Sequence, residues 1–213
     1  MTARTIRVLD LFAGAGGLTA GFHTASSRFR SIAAVEMDPE AAASYRATFP
    51  KTEVYAGAIQ DWLAEGTIPT GVDVVVGGPP CQGFSTLGKR DAEDARNRLW
   101  EQYAQVIQRA RPKYFVVENV PAFGKSPQYR DFLAATRPGE FLEDYSFDFR
   151  VLNAADYGAP QARRRAVLIG HRYDMDVPGF PEPTHSPDRD GDLPPYRTVR
   201  QTLLGVPAQP DMD

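Results

Sequence analysis

Arg7-Val8-Leu9-Asp10-Leu11-Phe12 followed by Ala13-Gly14-Ala15-Gly16-Gly17 decides the fold. The apolar run reads as a buried strand, and the glycines as a tight turn. Leu18 to Thr24 then look helical, with Leu18 and Phe22 four apart on one face. Strand, glycine turn and helix open a nucleotide-binding βαβ unit, in which the start of the helix offers free N–H donors. A dinucleotide site wants a further glycine three residues after Gly16; Thr19 stands there, which disfavours a nicotinamide dehydrogenase.

The pattern continues as an α/β chain. Ser31-Ile32-Ala33-Ala34-Val35-Glu36 is a second strand ending in an acid, placed to accept hydrogen bonds from ribose hydroxyls. Asp38 caps a helix that has Pro39 at its first position. Glu53-Val54-Tyr55 is a short third strand, and Trp62 and Leu63 belong to a brief helix. Val72-Asp73-Val74-Val75-Val76 is a buried fourth strand. It leads into Gly77-Gly78-Pro79-Pro80-Cys81-Gln82-Gly83-Phe84-Ser85, which holds the single cysteine of the 213 residues. Two prolines stiffen this loop, and the flanking glycines admit a ligand close to the backbone. A thiol past the carboxyl end of a strand in an open α/β sheet lies where ligands and catalytic groups collect. A reactive nucleophile is favoured over a small loop hydrophobe.

Residues 89–98 are highly charged and lack apolar periodicity, as in a mobile loop or one ordered only by a ligand. Leu99, Tyr103, Val106, Ile107 and Ala110 predict a long amphipathic helix ended by Pro112. Lys113 to Val117 form a fifth strand, with Glu118-Asn119-Val120-Pro121 at the same sheet edge as Cys81. A carboxyl there is positioned to donate a proton, unless it merely caps a helix. Asp131 to Ala135 suggest another helix, Ser146 to Leu152 an edge strand, and Asn153 to Pro160 a turn. Gln161-Ala162-Arg163-Arg164-Arg165 precedes a last strand, Ala166 to Gly170; its cations blunt an edge or contact phosphates. Residues 1–173 therefore read as one domain, and 174–213 as a proline-rich extended tail with a short helical stretch near Thr198 to Leu204.

Composition narrows the classes further. A hydrophobic content of 42% and a charged content of 24% fit a soluble globule. One cysteine excludes an internal disulfide and suits a cytoplasmic protein. The net charge of −3 gives no global attraction to nucleic acid, so any contact must be local or shared with a partner. His23, His171 and His185 have no ligand spacing, so no metal is expected. No run is long and apolar enough to span a bilayer.

Together these segments resemble the DNA (cytosine-5) methyltransferases. Asp10 to Gly17 is similar to the family's first motif, Pro79 to Ser85 to its catalytic loop, and Glu118-Asn119-Val120 to its sixth motif. Gln161 to Arg165 is similar to its glutamine-arginine-x-arginine motif, and Pro183-Thr184-His185 with Thr198-Val199-Arg200 to the segment before its target-recognition region.

The resemblance implies a Rossmann-like, class I S-adenosylmethionine-dependent fold. Its sheet would be mostly parallel and seven-stranded, with an antiparallel strand near the C-terminus. It implies methyl transfer to carbon 5 of cytosine in DNA. Cys81 would be the nucleophile, with Glu118, Arg163 and Arg165 also catalytic, and Gln82 and Ser85 would hold DNA. Phe12 would offer a face to adenine, Gly14 and Gly16 close approach, and Glu36 a ribose contact. Met37 and Ile59 would wall the adenine. The cofactor set extends to Ala13, Gly17, Leu18, Ala58, Pro79 and Leu99.

Two departures stand out. Where the family usually has an aspartate reaching the adenine amine, this chain has Ala58. The target-recognition region and the last two motifs have no counterpart in residues 1–213. The expectation is a split or partial enzyme needing a second polypeptide or segment for DNA recognition. A non-catalytic cofactor- or partner-binding half and an RNA cytosine-5 methyltransferase remain alternatives.

Overall fold

A computed structural model describes residues 4–66, 68–80, 99–188 and 191–204. Seven strands form one sheet in the order β3-β2-β1-β4-β5-β7-β6. They are β1 Ile6–Leu11, β2 Phe29–Glu36, β3 Glu53–Ala56, β4 Val74–Gly77, β5 Tyr114–Asn119, β6 Tyr145–Asn153 and β7 Arg164–Arg172. β1 pairs in parallel with β2 and β4, β2 with β3, and β4 with β5, while β7 runs antiparallel to β5. The expected mostly parallel, seven-stranded sheet with an antiparallel strand near the C-terminus is therefore present.

The helices are α1 Gly17–Ala25, α2 Pro39–Thr48, α3 Ile59–Glu65, α4 Leu99–Ala110, α5 Pro127–Ala135 and α6 Val199–Leu203. Asp38 caps α2 as its sequence context predicts, accepting the Ala41 N–H at 2.7 Å. α4 buries Tyr103, Val106 and Ile107, the stripe its periodicity predicts. The Tyr103 hydroxyl reaches the carbonyls of Val75 and Val116, at 3.1 and 2.9 Å, and so locks α4 over β4 and β5. A ring cluster of Phe115, Phe132, Tyr145 and Phe147 fills the space between β5, α5 and β6.

Several boundaries differ from the sequence expectation. β5 continues through Glu118 and Asn119, because both still pair with β7, as partners of Val167 and Ala166. β7 begins at Arg164, so two of the three arginines lie inside the strand. α5 starts at Pro127 because Ser126 accepts the Tyr129 N–H at 3.1 Å. A 3-10 turn over Pro121–Lys125 precedes it.

The chain divides into two compact units. Met1–Arg150 with Ala166–Pro178 holds most of the sheet, and Val151–Arg165 groups with Gly179–Asp213. In the second unit Asp156 is a hub. Its carbonyl accepts the Thr184 and His185 N–H groups at 2.8 and 2.9 Å, and its carboxylate takes the Tyr196 hydroxyl. The proline-rich segment is thus tied to the 3-10 turn Ala154–Tyr157 by polar contacts. Thr198 and Gln201 form a capping box at the start of α6.

Candidate active site

The first unit carries a pocket of about 240 Å³ at the carboxyl ends of β1, β2 and β4. This is the edge at which open α/β sheets bind ligands. β1 delivers Phe12, whose φ of 55° turns the chain sharply out of the strand. Gly14 and Gly16 continue the turn with φ of 55° and 93°. A side chain at Gly16 would collide with Phe49 and Tyr45, so this position needs glycine twice over.

Glu36, at the end of β2, accepts the Gly14 N–H at 2.7 Å through Oε2 and the Asp38 N–H at 2.8 Å through Oε1. One carboxylate therefore joins the glycine turn of β1 to the cap of α2. Each oxygen keeps a lone pair for a ligand hydroxyl.

The pocket wall is mostly apolar. Phe12, Val35, Met37, Ile59 and Leu99 line it, with Met37 71% exposed. Ala58 lines it too, at the place where a carboxylate was expected on the family pattern. Gly78 and Pro80 close it from the loop after β4.

Beneath the turn lies a buried polar relay. Thr19 donates to Asp10 Oδ2 at 2.7 Å and shares a 2.7 Å hydrogen bond with the Tyr45 hydroxyl, which meets Ser31 Oγ at 2.8 Å. Asp10 is fully buried, and its Oδ1 has no partner among the described residues. Burial pushes its carboxyl up to about 7; the charge of Glu36 adds to this, and the bonds from Thr19 oppose it.

At the end of β5, Asn119 donates from Nδ2 to the Pro79 carbonyl at 2.9 Å. Glu118 lies beside Gly78, where an added Cβ would sit 3.2 Å from Glu118 Oε2. The loop leading to Cys81 is thus held against the end of β5. Cys81, Gln82 and Ser85 lie outside the described residues, as does the charged segment 89–98.

The remaining expected site residues separate into groups. Phe12, Glu36, Met37, Ala58, Ile59 and Leu99 come together on one pocket. Ala13 is buried and donates to the Val35 carbonyl at 3.1 Å, holding the turn against β2. Gly17 opens α1. The structure does not bring Leu18 to the pocket; it packs with Val8, Val74 and Val76 on the sheet. Pro79 is buried and faces Asn119 through its carbonyl, while its neighbours Gly78 and Pro80 reach the pocket. Arg163 and Arg165 belong to the second unit. There the Arg163 carbonyl accepts the Ala154 N–H at 2.9 Å, and Arg165 Nη1 donates to the Arg164 carbonyl at 2.9 Å.

Comparison with known proteins decides the family. The model of the C-5 cytosine-specific DNA methylase family matches residues 6–206. The chain belongs to this family. It is similar to the type II methyltransferase M.XorII of Xanthomonas oryzae pv. oryzae, 42% identical over 198 residues, covering 87% of this chain and 46% of that protein. It is similar also to the type II methyltransferase M.AquIA of Picosynechococcus sp., 35% identical over 223 residues, covering 94% of this chain and 89% of that one. Among solved structures, a protein assigned as a prophage-encoded DNA modification methyltransferase (E. coli) superposes with a TM-score of 0.71 at 27% identity. That match covers 96% of this chain and 56% of the other. The chain thus spans about half the length of M.XorII and of this structure, and most of M.AquIA.

For this member of the family, sequence reasoning missed Val35, Gly57, Gln60, Gly78 and Pro80 as pocket residues. The glycine-rich approach to Cys81 was the available signal for Gly78. The pocket suits an adenosine bearing a short charged arm. Its wall has an apolar stretch suited to a base and the Glu36 carboxylate, and Gly57 and Gly78 leave room there for close approach. Its volume of about 240 Å³ is somewhat below the roughly 300 Å³ at which small-molecule sites usually begin. Among the described residues, no helix is long and apolar enough to cross a membrane.

Proposed function

We propose that this chain transfers a methyl group from S-adenosylmethionine to carbon 5 of cytosine in DNA, through a covalent bond between Cys81 and carbon 6. The observation that carries this reading is a pocket lined by Glu36, which holds the glycine turn through the Gly14 N–H, and by Gly78 and Pro80 of the segment leading to Cys81, in a chain of the C-5 cytosine methylase family.

Carbon 5 of cytosine is a weak nucleophile, so direct attack on a methyl donor is slow. A thiolate adding at carbon 6 places an electron pair on carbon 5. Cys81 supplies that thiolate from a loop stiffened by Pro79 and Pro80. Glu118 engages the ring nitrogen and holds a proton there as charge develops. On the family's motif, Arg163 and Arg165 are assigned to the base oxygen and an adjoining phosphate, and a guanidinium brought beside the thiol would favour the thiolate. S-adenosylmethionine, when bound, supplies the electrophilic sulfonium methyl. Phe12, Met37 and Ile59 hold its adenine, Glu36 its ribose, and the Gly14–Gly16 turn its charged arm. After transfer, loss of the carbon-5 proton returns the electron pair and breaks the sulfur–carbon bond. Gln82 and Ser85 hold the DNA strand, from which the target base must be flipped out.

Target recognition is proposed to need a further segment, whether on this chain or on a second polypeptide. The net charge of −3 and the coverage of about half of M.XorII support this. The test is tritiated methyl transfer to DNA, with and without a candidate second chain, by wild type and Cys81→Ala. The expected result is loss of transfer in Cys81→Ala with cofactor affinity kept. Transfer surviving in Cys81→Ala, or cofactor binding lost in a folded variant, would overturn it.

A further inference from the structure

We propose that a second pocket, at the opposite edge of the sheet from the cofactor cradle, binds a phosphate group. It has a volume of about 230 Å³ and lies where α1 ends, β2 begins and α2 hands over to β3. Ser31 in its wall is five residues before Glu36 on the same strand, about 17 Å along β2. A ligand here therefore does not overlap one at Glu36.

Three cationic or donor side chains converge on it, from three elements. His23 comes from the last turn of α1, Arg30 from the start of β2, and Lys51 from the α2–β3 connection. No carboxylate lines the pocket. Elsewhere among the described residues, cations meet acids or backbone carbonyls; Arg46 and Arg109, for example, donate to the carbonyls of Val54 and Leu63. Arg4 and Lys113 share Asp73, Arg111 pairs with Asp144, and Arg172 with Asp174. The side chains of Arg30 and Lys51 have no hydrogen bond or ion pair with any described residue. Two uncompensated cations beside a cavity fit an anion, and the guanidinium fork matches phosphate oxygens in pairs.

The histidine is preset as a donor. Its Nε2 accepts the Ser31 backbone N–H at 3.1 Å, which leaves the ring proton on Nδ1. Burial first, and the charge of Arg30 second, hold this imidazole below its usual pKa. Phe49 packs edge-on against the same ring at 5.3 Å and gives the pocket an apolar side. Charge-assisted hydrogen bonds are stronger against such a wall than in open water. The hydroxyls of Thr48 and Thr52 already donate to the carbonyls of Ser44 and Ser31. The donors left for the ligand are Arg30, Lys51 and the imidazole N–H. The space admits phosphate or pyrophosphate whole, whereas a DNA duplex can present only one backbone phosphate at the rim.

The experiment follows the ring resonances of the three histidines by NMR, near neutral pH and at constant ionic strength set with chloride. Inorganic phosphate, pyrophosphate and a short DNA duplex are titrated separately into the full chain, wild type, Arg30→Gln and Lys51→Gln. His23→Gln assigns the His23 signal. A saturable His23 shift with phosphate or pyrophosphate, weakened about tenfold or more by each substitution, is the expected result. A saturable shift with the duplex alone also supports a phosphate site and assigns its source to the DNA backbone. The His171 and His185 signals report whether each variant is folded, and the wild-type titration decides even if one is not. No His23 shift, an equal shift from added chloride, or a shift unchanged in both folded variants overturns the proposal.

Discussion

Asn119 holds the Pro79 carbonyl with its side-chain N–H at 2.9 Å and takes the Val120 backbone N–H on its Oδ1 at 2.8 Å. One buried amide thereby fixes both the end of β5 and the loop that leads to Cys81. Asn119→Ala leaves the buried Pro79 carbonyl without this donor, at a cost of about 1–3 kcal/mol. If Cys81 is the nucleophile, its aim depends on this bond. Methyl transfer should fall by about a hundredfold, the scale expected for a misplacement near 1 Å. Cofactor affinity should change little, because Asn119 does not line the pocket. Single-turnover methyl transfer beside a cofactor titration separates the two. Equal losses in both would remove Asn119 from the positioning role.

Gly78 faces the Glu118 carboxylate closely enough that a methyl group would stand 3.2 Å from Oε2 and 3.4 Å from the Glu118 carbonyl. Gly78→Ala must push the carboxylate aside by a few tenths of an ångström. Its stability cost is expected to be small, about 1 kcal/mol or less, since one side chain can yield. The turnover number should nevertheless drop about tenfold if Glu118 engages the base. Steady-state kinetics with a thermal melt check this. An unchanged turnover number in a protein of normal stability would argue against that role.

Glu36 accepts two backbone N–H groups with its two oxygens, so it cannot be replaced by an amide without loss. Glu36→Gln turns one acceptor into a donor facing an N–H. The glycine turn and the α2 cap are no longer joined, and a ligand ribose loses a charged acceptor. We expect cofactor affinity to fall about tenfold to a hundredfold, at the scale of a charge-assisted hydrogen bond. Calorimetric titration with S-adenosylmethionine, or with its demethylated product, measures it directly. Wild-type affinity in the variant would remove Glu36 from the ribose role.

What could be read from the sequence was what neighbours along the chain decide. The β1 turn, the Asp38 cap and the apolar stripe of α4 are local patterns, and they stand where expected. Strand ends were less legible, because pairing with a distant strand sets them. Glu118 and Asn119 stay in β5 only because Val167 and Ala166 pair with them. Around the pocket, the turn after β4 decides that Gly78 and Pro80 face it while Pro79 is buried, and no periodicity reports such a turn. Thr19 was read only as a missing glycine. Its bonds to Asp10 and Tyr45 join residues 9 and 26 positions away, which no local pattern displays. Leu18 shows the converse: the resemblance puts it in the cofactor set, but its side chain packs on the sheet with Val8, Val74 and Val76.

Asp10 makes stability depend on pH with an unusual sign. Burial raises its carboxyl from an ordinary 3.8 to about 7, so the folded protein keeps a proton that the unfolded chain gives up above its own lower value. Where the folded state binds more protons, stability falls as pH rises. The contribution is fully present below the unfolded value and is lost as pH rises through about 7. Across that window it amounts to at most about 4 kcal/mol, at about 1.4 kcal/mol for each unit. Asp10→Asn keeps the shape and an acceptor for Thr19 but cannot titrate. Urea unfolding of both proteins from about pH 4 to about pH 8 therefore gives two curves, and other carboxylates contribute alike to each. Wild type should lose stability relative to Asp10→Asn as pH rises towards 7, with the difference flat beyond it. Parallel curves would mean that the folded protein holds Asp10 ionised throughout, its Oδ1 met by a donor such as a buried water.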